Sequence, residues 1–165
     1  MKRKLTWIFG ALVVVFALLQ LTNPARTNPP ILPGHEVWAG NSPPPEIAAL
    51  LHVACYDCHS YETTWPWYSR VAPMSWLIAR DVNNGRARVN FSDWPHDHPD
   101  WAVRRWQNVS EELDYREMPP AKYTWMHPEA RLTAAQRQQL IQWADAQAEK
   151  LKASAAASAS GNTGK

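Results

Sequence analysis

The sequence predicts a mainly α-helical protein, and three observations carry that expectation. Apolar residues recur at helical spacing in several separate stretches. Alternating patterns of the kind that build strands are scarce. The prolines, 14 in all, fall between the periodic stretches or at their first positions, where a missing N–H costs nothing.

The first element is the apolar run over residues 5–21, LTWIFGALVVVFALLQL, preceded by Lys2, Arg3 and Lys4. At 1.5 Å per residue the run covers about 25 Å, close to a hydrocarbon core of ~30 Å. A basic cluster ahead of such a run stays on the cytoplasmic side and sends the rest of the chain outward. The run ends in Leu19, Gln20, Leu21, Thr22, Asn23 and Pro24, a poor match to the small-residue pattern of signal cleavage. Residues 1–22 are therefore expected to be an uncleaved single-pass anchor in the cytoplasmic membrane, with the domain in the periplasm; a cleaved secretory signal is the alternative.

Residues 23–45 are proline-rich and are expected to form an extended linker that holds the domain off the membrane. The domain itself is expected over residues 46–152. Its first helix should begin at Pro45, with Ile47, Leu50, Leu51 and Ala54 on one buried face, and run directly into Cys55. A second should start at Pro73 and end at Gly85, read as a left-handed cap. A third covers about Trp101 to Tyr115, with Ala102, Trp106, Val109 and Leu113 inward. The last begins after Thr133, where Thr133 and Gln136 match a capping box, and carries Leu140, Trp143, Ala144, Ala148 and Leu151 on its apolar face. Residues 153–165, rich in Ala and Ser, read as a disordered tail.

Formal net charge is +2, but without the three N-terminal basic residues the chain carries 14 basic against 15 acidic. No basic stripe remains, so nucleic acid is not expected as a partner.

The chemistry resides in Cys55-Tyr56-Asp57-Cys58-His59, a C-x-x-C-H motif, which is the attachment pattern of haem c. A short turn spaces two thiols to add across the two vinyl groups on one porphyrin edge. The following histidine then lies under the ring as the proximal iron ligand, its other ring nitrogen held by a carbonyl. A thioredoxin-like redox pair would need a βαβ context, which is not evident before Cys55. A structural disulfide between the only two cysteines is compatible with an oxidising compartment but leaves His59 without a role. A zinc site would need further ligands at plausible spacing. One covalent haem c is the expected cofactor, and several of the eight tryptophans after residue 60 are expected to line its crevice.

Candidates for a second iron ligand are Met74, Met118, Met126, His35, His52, His96, His98 and His127. His52 stands one turn before Cys55, too near to reach the opposite face. His35 lies in the linker, His96 and His98 in a polar loop, and Met74 is expected in the core. Met118 precedes Pro119-Pro120 in the loop before the last helix, where restricted backbone could set a thioether at fixed depth.

Longer segments point the same way. CYDCHS (55–60), TWPWYSRVAPMSW (64–76), DVNNGR (81–86), NFSDW (90–94), EMPPAKY (117–123) and HPEARLT (127–133) make the stretch from about Ala25 to Gln147 resemble the bacterial haem-binding domain family. These are small cytochrome-c-like proteins, often with an N-terminal anchor. The resemblance implies a cytochrome-c-like helical domain around one haem, with Cys55, Cys58 and His59 holding it and Met118 as the distal iron ligand. The family's usual glycine ahead of the E-M-P-P segment is replaced here by Arg116. Electron transfer with a redox partner protein, rather than catalysis, is the expected function. A peroxidase-like enzyme or a gas or redox sensor with an open distal site is the alternative.

Overall fold

The computed structural model describes residues 2–39 and 42–161, with side chains through residue 158. Seven α-helices and three short 3-10 turns make up its regular structure, and there is no strand among the described residues.

Helix α1 (Lys2–Leu19) has no buried residue. Together with the 3-10 turn that follows, it reaches Thr22, and its mean hydropathy of 2.2 makes it long and apolar enough to cross a membrane. Helix α2 (Pro45–Ala54) starts at the expected proline and buries Ile47, Leu51 and Ala54. The chain then bends at Cys55 (φ −128°, ψ −36°) into the single turn of α3 (Tyr56–His59). Helix α4 (Met74–Arg88) buries Ser75, Ala79, Val82 and Gly85, a stripe of small residues at helical spacing. Helices α5 (Pro99–Asp114) and α6 (Ala121–Met126) follow, and α7 (Ala134–Gly161) closes the domain.

The core lies mainly between α5 and α7. Ala102, Trp106 and Leu113 of α5 meet Leu140, Ala144 and Ala148 of α7, with Ile47 and Leu51 of α2 alongside. The start of α7 is fixed as the capping box requires. Thr133 N–H donates to Gln136 Oε1 at 2.9 Å, and Gln136 N–H donates to Thr133 Oγ1 at 3.2 Å.

Three expectations about the elements are corrected. Gly85 is not a left-handed cap: α4 runs through it to Arg88, and among the described residues the glycine with positive φ is Gly34, at 86°. Gly85 is needed for another reason, because a Cβ there would collide with the Cys58 carbonyl oxygen. The tail does not lose its structure at residue 153. Alanine is the strongest helix former, and α7 continues through Gly161; residues 162–165 lie outside the described residues.

The third correction concerns residues 23–39, which are not a free spacer. Prolines hold this stretch extended, so its backbone and side-chain groups are free to bond with the domain. Asn28 Nδ2 donates to Thr63 O at 2.9 Å, Val37 N–H to Phe91 O at 2.8 Å, and the His35 carbonyl accepts from Trp94 N–H at 2.8 Å. The segment is a strap bound along the domain; residues 40 and 41 lie outside the described residues.

Gly85→Ala separates backbone preference from packing. Alanine favours a helix interior by up to ~1 kcal/mol over glycine, whereas displacing packed backbone costs about 1–3 kcal/mol. The expected outcome is net destabilisation, read as a lower denaturation midpoint in urea with an unchanged slope.

Candidate functional site

Residues 55–59 form a turn whose geometry follows from its two neighbours. Helix α2 ends as Cys55 N–H donates to Leu51 O at 2.9 Å, and the Cys55 carbonyl then accepts from Cys58 N–H at 3.2 Å and His59 N–H at 2.9 Å. Gly85 lets α4 press onto this turn at the Cys58 carbonyl. The same helix leads into Val89, whose carbonyl accepts from His59 Nδ1 at 3.0 Å. That bond assigns the proton to Nδ1 and leaves the Nε2 lone pair free. Burial holds the His59 pKa below the usual histidine value, against the raising effect of the Val89 carbonyl. The imidazole is therefore neutral near pH 7, as an iron ligand must be.

Both cysteines are free and half-buried. Burial, reinforced by the neighbouring Cys58, pushes the Cys55 thiol up to about 12. Burial also pushes Cys58 up to about 11, with Asp57 and Asp81 adding to the effect. A dithiol redox pair needs a stabilised thiolate and shows the opposite shift, so the electrostatics speak against the thioredoxin-like alternative.

Above the turn lies a crevice of two lobes. One lobe, of about 270 Å³, is lined by Ala54, Cys55, His59, Arg88, Glu112, Leu113 and Met118, among others. The adjoining lobe has Cys58, His59, Gly85, Met118 and Tyr123 in its wall. His59 and Met118 thus line both lobes, and each lobe takes one cysteine. The first lobe is mainly apolar and the second adds Asp57, Asp81, Glu117 and Lys122; a concave space with convergent polar groups is the usual form of a cofactor site.

The Met118 loop is anchored from three directions. Arg116 sits at φ 60°, the left-handed conformation that costs a non-glycine residue about 1–2 kcal/mol. It adopts the conformation that glycine, usual here in the family the sequence resembles, takes freely. Arg137 on α7 donates through Nη1 to the Met118 carbonyl at 2.6 Å and to the Leu113 carbonyl at 3.1 Å. Tyr123 on α6 donates its hydroxyl to Asp57 Oδ2 at 2.8 Å, tying the chain after Met118 to the residue between the two cysteines. Burial, and then the bond to Asp57, raise the Tyr123 pKa, so it remains a donor.

The other candidate iron ligands are not among the residues lining these lobes. His52 lies against Tyr56, its ring centroid 5.3 Å away. His35 Nδ1 is 3.3 Å from Asp93 Oδ1, and His96 Nε2 donates to Glu36 O at 2.8 Å. His98 stacks on Trp101, and His127 Nε2 is 2.8 Å from the Tyr68 hydroxyl. Met126 is exposed, and so is Met74, which was expected in the core.

No tryptophan lines either lobe, contrary to expectation. Trp38, Trp94, Trp106 and Trp143 instead build an aromatic cluster behind the crevice. Phe91 joins the two, since it lines the first lobe and stacks on Trp94 with centroids 6.2 Å apart.

Several contributors were not read from the sequence. Arg86 donates to the carbonyl of Ser60 at 2.7 Å, to the Thr27 carbonyl at 3.0 Å, and to the side chains of Asn28 and Thr63. It fastens the residue after His59 to the strap. Arg86, Tyr123 and Arg137 are distant from their partners along the chain, so no local spacing marks them. Only Arg86 and Tyr123 fall inside segments that carry the family resemblance.

The fold and the crevice define a class: a small helical protein with two thiols, a neutral imidazole and a thioether around one cofactor-sized space. These residues fit haem, since the free Nε2 of His59 is a ligand for iron and the lining suits a flat apolar ring. A sequence model of the haem-binding domain matches residues 14–146, most of the chain, and the protein belongs to that family, with haem as its cofactor. No curated protein and no solved structure gave a match.

The Arg137 clamp is testable. A hydrogen bond from a charged donor is worth about 1.5–3 kcal/mol, so Arg137→Ala should lower the unfolding free energy by roughly that much, while Arg137→Lys should recover part of it. Chemical denaturation of the two variants beside the parent protein provides the comparison.

Proposed function

We propose that the chain is a membrane-anchored carrier of single electrons, with one haem c held covalently by Cys55 and Cys58 and its iron bound by His59 and Met118. The observation that carries this reading is the shared lining: His59 and Met118 border both lobes, and one cysteine opens onto each. When bound, haem supplies one-electron exchange at its iron.

The residues account for the rest. Each thiol would supply its S–H for addition across one vinyl group, two C–S bonds forming without an external oxidant. The Val89 carbonyl orients His59 and keeps its Nε2 free. Arg137, Tyr123 and the Arg116 turn hold the Met118 backbone in place. With His59 and Met118 both holding the iron, no coordination position would remain for substrate, and the thioether would favour a higher reduction potential than a second imidazole. This supports a carrier over a catalyst. A redox partner protein would exchange the electron.

Helix α1 supports the location. It is apolar, has no buried residue, and begins with Lys2, Arg3 and Lys4. With the basic residues on the cytoplasmic side, the domain lies at the periplasmic face of the cytoplasmic membrane.

The test is the absorption spectrum of the haem-loaded full chain. The parent protein should be low-spin, unaffected by carbon monoxide, and show the weak near-infrared thioether-to-iron band when oxidised. Met118→Ala should abolish that band and bind carbon monoxide when reduced. Met118→His should remain low-spin with a lower potential. A parent protein that binds carbon monoxide freely would favour the peroxidase-like or sensor alternatives.

A further inference from the structure

The end of the apolar helix is fastened to a particular part of the domain. Gln20 Oε1 accepts from Ala72 N–H at 2.9 Å, and its Nε2 lies 3.4 Å from the Ala72 carbonyl. Asn23 Nδ2 donates to Arg70 O at 3.2 Å, and Trp76 Nε1 donates to Thr22 O at 3.0 Å. Residues 70–76 are thus bound within one turn of where α1 ends.

Around these bonds the domain exposes apolar side chains: Trp67 at 75%, Val71 at 36%, Met74 at 42%, Trp76 at 37% and Leu77 at 41%. They belong to the 3-10 turn Trp67–Arg70, the following loop and the first turn of α4. Exposed apolar residues in a continuous stretch call for a covering phase, whereas isolated ones do not. Arg70 and Arg80 are exposed beside them.

We propose that this face is a membrane-docking surface that sits in the headgroup layer of the bilayer α1 crosses. The proposal rests on α1 being a membrane span. Continuity identifies the occupant, because a helix that leaves hydrocarbon near Leu19 places residues hydrogen-bonded to Gln20 and Thr22 at the interface. The chemistry also matches. Tryptophan has an apolar body and a polar N–H and concentrates at membrane interfaces, and arginines at the rim can reach lipid phosphates. The crevice lining on α4 begins at Asp81, one turn beyond Leu77. Docking therefore fixes the crevice close to the bilayer surface, so that the haem domain does not swing on its tether.

The haem-loaded full chain in nanodiscs of phosphatidylcholine alone, footprinted with hydroxyl radicals and read by mass spectrometry, tests this. Protection of Leu12 and Phe16 reports the span. Trp67 and Met74 report the docked face. Trp101, exposed at 54%, and Tyr115, at 72%, are controls. Trp67 should be modified several-fold more slowly than Trp101, although its ring is the more exposed in the protein. The double variant Val71→Glu/Leu77→Glu, with its haem spectrum intact, should lose that protection. Trp67 reacting as fast as Trp101 while Phe16 stays protected would overturn the docking and leave the span standing; a face that binds a protein partner gives this result, since the disc holds lipid only. Persistent protection in the double variant would also overturn it. Reactive Phe16 would remove both the span and the docking.

Discussion

The contact on which the site depends is the close approach of α4 to the turn Cys55–His59. Gly85, without a side chain, admits the Cys58 carbonyl, and four residues later Val89 presents its carbonyl to His59 Nδ1. One helix therefore sets both the position of the turn and the tautomer of the histidine. The low pKa of His59 and the raised pKa values of the thiols come from the burial this packing imposes. Neutral groups tolerate such burial at far lower cost than charged ones. The site is thus a set of neutral side chains facing one mainly apolar lobe and one that also carries charged residues, an arrangement unsuited to thiolate chemistry.

The second constraint is closure from opposite sides. Residues 20–39 run along the domain and are gripped by Arg86, which also holds Ser60 directly after His59. On the other side, α7 reaches over through Arg137 to the Met118 carbonyl. Both arginines act on backbone carbonyls and so fix chain path, and Arg86 also holds the side chains of Asn28 and Thr63. Their guanidinium groups replace hydrogen bonds that irregular segments cannot make among themselves. The strap also links the apolar N-terminal helix to the haem-binding unit through hydrogen bonds at Gln20, Asn23, Arg26 and Asn28.

Much of this was legible in the sequence for local reasons. Pro45 and the stripe Ile47, Leu51, Ala54 mark α2, and Thr133 with Gln136 marks the start of α7, because helix starts and faces are written within a few residues. The C-x-x-C-H motif is equally local. What failed depended on distance. Gly85 looked like a terminator because its actual role, contact with Cys58, is a matter of tertiary packing. The strap looked like a spacer because proline fixes its shape but says nothing about what lies beside it. The tryptophans were expected in the crevice, yet aromatic rings also pack well on one another, and Phe91 bridges their cluster to the lining. The tail shows that an Ala/Ser composition, taken for disorder, is also a helix-forming one.

The central claim is that Cys55 and Cys58 are the attachment points of the cofactor. Its most direct test is peptide mass spectrometry of the full chain produced with a c-type haem maturation system. The peptide containing residues 55–59 should carry the mass of one haem, with neither cysteine available for alkylation. Recovery of that peptide with both thiols free to alkylate, and haem lost from the protein on denaturation, would contradict the account.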